Sequence, residues 1–159
     1  MKLTKGLLLI ISIITLAFSG VESDSNSHTI KDNIFTAIRS IDYTSINVLL
    51  SDGTDVDTVD QDGNTPLMVA AHVGNPRIMN IILDHNPYIN QQNKNGVTAL
   101  MIAAETGQFH AVEMLVARGA DQTIQNANGN TAVTLASKFG HSQIVTFFKE
   151  KRIIRSYTK

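Results

Sequence analysis

Apolar positions along the chain fall in short helical stripes, not in strand-like alternation. Ile78, Met79, Ile82 and Leu83 stand at i, i+1, i+4 and i+5, the spacing of one buried helix face. Ala111, Val112, Leu115 and Val116 repeat that stripe 33 residues later, and Ile144, Val145 and Phe148 repeat it again. One period earlier, Ile46, Leu49 and Leu50 match it. A second kind of apolar run, typified by Leu67, Ala70 and Ala71, precedes the stripe. Its small residues let neighbouring helices approach closely. The pattern predicts pairs of short helices joined by polar turns.

The turns keep the same period. Gly63, Gly96 and Gly129 are 33 residues apart, as are Gly74, Gly107 and Gly140, and Ala70, Ala103 and Ala136. Three columns in one register predict stacked copies of a unit, because a single irregular helical domain has no reason for a fixed period. The first glycine column follows Asp or Asn, where a tight turn needs positive φ. Thr65, Thr98 and Thr131 come two residues later and can cap a helix. Pro66 suits the first helical position, and Gly74 suits the turn after the last. Asn75 and Pro76 begin the next helix in the same way.

The phrase "DGNTPLMVAAHVGN" (Asp62–Asn75), the later "LVARGAD" (Leu115–Asp121) and the period together resemble the ankyrin repeat. The resemblance spans about residues 30–155 and implies an all-α solenoid of four helix–turn–helix units with finger loops. The units fall at about 30–59, 60–92, 93–125 and 126–155, the outer two serving as caps. Some columns depart from the family pattern. Met68, Met101 and Thr134 stand where its histidine would be, so an inter-repeat hydrogen-bond network gives way to packing. Ala99 and Ala132 replace the proline, and Asn86 replaces a loop glycine, a swap that asparagine's tolerance of left-handed φ permits.

Such repeats bind other macromolecules through finger tips and first helices. Carried over by position, the resemblance marks Arg39 and Ser40 in the first unit and Gln61, Asn64, His72 and Val73 in the second. In the third it marks Lys94, Val97, Glu105 and Thr106, and in the fourth Ala127, Asn130, Lys138 and Phe139. Val73, Val97 and Phe139 are expected to be exposed apolar side chains at the dry centre of an interface, with Phe139 foremost.

The first residues change where this binding is expected to take place. Lys2 and Lys5 precede an uncharged run from Gly6 to Phe18, followed by Ser19 and Gly20. As a helix that run is about 20 Å long at ~1.5 Å per residue, short of the ~30 Å hydrocarbon layer. It reads as a signal peptide over 1–20, cut after Ser19 or Gly20, with 21–29 a polar linker; a retained anchor is the alternative. Without Lys2 and Lys5, 11 basic residues face 14 acidic ones, which disfavours nucleic acid as a partner. The chain has no cysteine, so an exported domain must hold its fold by packing alone. None of its asparagines stands in an Asn-x-Ser/Thr acceptor, which points to a bacterial envelope, periplasmic or secreted.

Chemistry finds little purchase. Read as a calcium loop around Gly63, the aspartate-rich stretch Asp52–Thr65 would place Thr58 and Val69 at positions that need carboxylates. His28, His72, His85, His110 and His141 are scattered, without a metal-binding spacing. No nucleophile elbow, phosphate loop or dinucleotide fingerprint occurs. The basic tail, Lys149, Lys151, Arg152, Arg155 and Lys159, reads as an extension of the last helix, with anionic membrane contact the alternative. The expectation is a monomeric, cofactor-free binding module for another protein. An inhibitor or immunity-type role toward an exported enzyme or toxin falls within that class, and an envelope enzyme is the competing class.

Overall fold

A computed structural model describes residues 34–157, with side chains through Lys151. The leader, the linker, His28, the start of the first unit at Ile30 and the last two residues of the tail lie outside the described residues.

Helix starts are set by side-chain oxygens. Thr65, Thr98 and Thr131 are extended, and each hydroxyl accepts the backbone N–H three residues on, from Met68, Met101 and Thr134, at 3.3 Å. These caps open α3 (Pro66–Val73), α5 (Ala99–Glu105) and α7 (Ala132–Lys138). Thr134 returns the bond, its Oγ1 accepting the Thr131 N–H at 2.8 Å, and Met68 does the same for Thr65 through its sulfur at 3.4 Å, so both helices open on a capping box. Asn75 accepts from the Arg77 and Ile78 N–H groups and starts α4 (Pro76–Asp84). Its counterparts α6 (Phe109–Ala117) and α8 (Ser142–Tyr157) follow Gln108 and His141. The first unit is helical over residues 34–39, α1, and over Tyr43–Ser51, α2. Asp42 caps α2 by accepting from Thr44 and Ser45. The Ser45 hydroxyl at 2.6 Å, then the Ser45 backbone N–H and, to a lesser degree, that of Thr44, hold the Asp42 carboxyl below its ordinary range against the opposing effect of desolvation.

Four helix pairs therefore stack in the order the periodicity predicts, and the described residues contain no strand. The inner helices α3, α5 and α7 pack most closely on one another. Fully buried Ala70, Ala71, Ala103, Ala104 and Ala136 permit that approach. Outside them run α4, α6 and α8. Ile78, Met79, Ile82 and Leu83 are at most 1% exposed. Leu49, Val116 and Val145, predicted in the same stripe, are only half-buried.

At the fourth unit the stacking positions turn polar. Met68 and Met101 are buried, whereas Thr134 in their column is exposed; Ala71 and Ala104 give way to exposed Ser137, and Leu83 to exposed Lys149. A face that meets water instead of another unit is the physical content of a cap. The Gly74 turn has φ 69°, and a Cβ there would collide with the Gln108 side chain. Asn86 takes φ 53°, as its replacement of glycine requires.

Candidate functional site

The 33-residue period sets equivalent side chains side by side on one face. The ends of the inner helices supply two such columns: Arg39, His72, Glu105 and Lys138, then Ser40, Val73, Thr106 and Phe139. Between them lies an open groove of about 870 Å³. It brings together seven of the residues marked from sequence: Arg39, Asn64, His72, Val73, Glu105, Thr106 and Phe139. Its remaining lining, Met68, Val69 and Ile102, escaped the sequence reading. Their signal is an apolar column, and an apolar column reads as core. Met68 and Val69 are indeed buried, while Ile102 is half-buried and forms part of the floor.

Seven marked residues do not line the groove, among them Ser40, whose hydroxyl donates to the Ala37 carbonyl at 3.2 Å. Lys94 donates its ammonium to the Gln61 carbonyl at 2.6 Å, so these two tie adjacent fingers together. Asn130 gives its N–H to Asn126 Oδ1 and receives the Asn126 N–H, closing its own finger. Exposed Lys138 lies 5.6 Å from the Phe139 ring centroid. Exposed Ala127 donates its N–H to the Asn95 carbonyl. Val97 packs against the core, held by two bonds between its backbone and Asn93. Val73 packs there too, so both valines are half-buried and not the exposed apolar side chains expected. Phe139 is 47% exposed, as expected.

Asn64 has a structural task beside its place in the groove. Its side chain donates to Asp60 Oδ2 at 3.1 Å and accepts from Asn93 Nδ2 at 2.7 Å. Arg39 stands 4.0 Å from the same Asp60 oxygen, so a polar ladder crosses three units. The groove wall is braced from behind. Gln108 donates to the His72 carbonyl at 3.4 Å, and His141 Nε2 lies 2.9 Å from the Glu105 carbonyl. Both braces reach the last turn of the preceding inner helix, satisfying carbonyls that a helix end leaves open.

The lining contains one carboxylate, Glu105, and one imidazole, His72, with no hydrogen bond between them among the described residues. No group of three or more His, Cys, Asp or Glu side chains is placed to hold a metal ion among those residues. No described helix is long and apolar enough to cross a membrane. The arrangement suits contact over a wide open surface better than enclosure of a small reactant.

A family model for ankyrin repeats matches residues 34–126 in three copies, more than half of the chain. The fourth helix pair follows directly after the matched region. No curated protein matches the chain. Ankyrin repeats are in general protein–protein interaction modules. With four stacked helix pairs and the match in hand, the chain belongs to the ankyrin-repeat family.

Proposed function

We propose that the protein is an exported, non-catalytic module that binds one partner protein through the groove beside the inner helices. The observation that carries this reading is that seven residues marked by the repeat pattern line one open groove, with an exposed aromatic ring among them. Exposed apolar surface rimmed by polar side chains is what a protein interface requires. The apolar run after Lys2 and Lys5 supports export, with the partner in a bacterial envelope or outside it. Inhibition or protection of an exported enzyme or toxin is one role open to such a binding module.

Affinity capture from an envelope fraction, comparing the intact protein with Phe139→Asp, tests the proposal. A charge at an exposed edge position leaves the buried core alone, so the variant is expected to fold and lose its partner. Retention of the same partner by the variant would sink the groove as the binding surface.

A further inference from the structure

The column beside the groove, which ends at Lys138 just outside the lining, carries a charge pattern that describes the occupant. Along one column Arg39, His72, Glu105 and Lys138 run from unit to unit, a cation at each end and a carboxylate between. The terminal cations have company within the molecule. Arg39 stands near Asp60, and Lys138 near the Phe139 ring. Glu105 has none: its side chain is half-buried and makes no hydrogen bond or ion pair among the described residues. Its backbone carbonyl is engaged by His141. A carboxylate with no donor of its own is open to a charge-assisted hydrogen bond from a cationic ligand. Apolar surface lies beside it, with Ile102 in the floor and the Phe139 ring at the edge. Such surface suits the stem of a long basic side chain, and the ring face suits a guanidinium.

Resting on the groove reading above, we propose that the partner presents a single basic residue to Glu105, with acidic residues on either side facing Arg39 and Lys138. Arginine fits better than lysine, because its planar fork bonds a carboxylate through two donors while its face stacks on an aromatic ring. A polybasic segment is disfavoured, since its outer charges meet the terminal cations. The occupant is thus a segment of acidic–basic–acidic character with apolar side chains between the charges. That character is complementary to the groove in both sign and order.

The test is selection of random dodecapeptides displayed on phage against the full chain. The affinity of a synthesised winner is then measured by fluorescence polarisation for wild type, Glu105→Gln, Glu105→Lys and Phe139→Asp. The expected winners centre on one arginine or lysine between acidic residues. Glu105→Gln, nearly isosteric and therefore expected to fold, weakens binding on the order of tenfold to a hundredfold. Repeating the selection on Glu105→Lys is expected to replace the central basic residue by an acidic one. Peptides lost with Phe139→Asp but indifferent to Glu105→Gln overturn the basic-residue inference and leave the groove standing. Indifference to Phe139→Asp, or no enrichment at all, overturns both.

Discussion

Gly74 and Ile41 occupy the same turn one unit apart, with φ of 69° and 59°. At Gly74 the left-handed backbone favours glycine, and the Gln108 side chain would have to swing aside for a Cβ. Ile41 holds nearly the same conformation with a β-branched side chain, 44% exposed, where such residues are genuine outliers. The first unit compensates with contacts of its own. Tyr43 accepts a hydrogen bond on its hydroxyl from Asn75 at 3.0 Å, and the Arg77 guanidinium lies 4.4 Å from its ring centroid. Interior units are held by rules that every copy obeys, whereas the outer unit tolerates a broken rule through side-chain contacts specific to it.

The largest test of that difference lies in the outer helices. Ile82 in α4 is fully buried, and Leu49 occupies the same column of α2 half-buried. Ile82→Ala is expected to cost about 2–5 kcal/mol, through lost burial plus the cavity left behind. Leu49→Ala should cost roughly half as much or less, since half-exposed apolar area has less to lose. Urea unfolding monitored by circular dichroism measures both. Equal costs would mean that the first unit is packed as tightly as the interior.

The fold was legible in the sequence because its signals are local and repeated. Each Thr–x–x spacing is a cap, and each stripe is a helix face. Columns that fail to repeat, such as His72 and Glu105, lie along the groove. Asn64 and Val97 also fail to repeat, but for another reason. Asn64 bonds to Asp60 and Asn93, and Val97 packs on the core. Variation at a position marks a partner surface only when the side chain has no task inside the stack, and those tasks are long-range contacts that no spacing encodes. The strain at Ile41 was hidden for the converse reason. Its unit lacks the Gly-x-Thr-Pro opening, so the column was not read there as a turn.

Exchanging the two turns sharpens the comparison at a middle scale. Gly74→Ala is expected to destabilise by about 1–2 kcal/mol, from the left-handed backbone alone. Ile41→Gly is expected to stabilise by roughly 1 kcal/mol, because removing the branched Cβ relieves strain by more than the added unfolded-chain entropy costs. Opposite shifts in the urea midpoint support the reading; a loss from both substitutions would show that Ile41 is not strained. Tyr43→Phe comes next, with an expected loss of about 0.5–1.5 kcal/mol from one hydrogen bond. Amide exchange should localise its effect to α2 and the start of α4, leaving α5 unchanged. A uniform rise across all units would mean that the stack unfolds as a single block.

The smallest expected effect is a pH dependence confined to the first unit. Asp42 caps α2 as a carboxylate, and its folded-state pKa lies below the ordinary 3.8, chiefly through the Ser45 hydroxyl bond. A depressed folded value means that the unfolded chain binds this proton more readily than the native one. Its contribution is therefore fully present above the unfolded value and is lost as pH falls through the folded one. The threonine and asparagine caps of α3, α4, α5 and α7 have no charge to lose in that range. Acidification below about pH 4 should accordingly raise amide exchange in α2 before α5 and α6 respond. Asp42→Asn keeps a capping oxygen without the charge. It should flatten the added α2 response on acidification, and an unchanged acid profile in that variant would assign the response to the neighbouring finger aspartates instead.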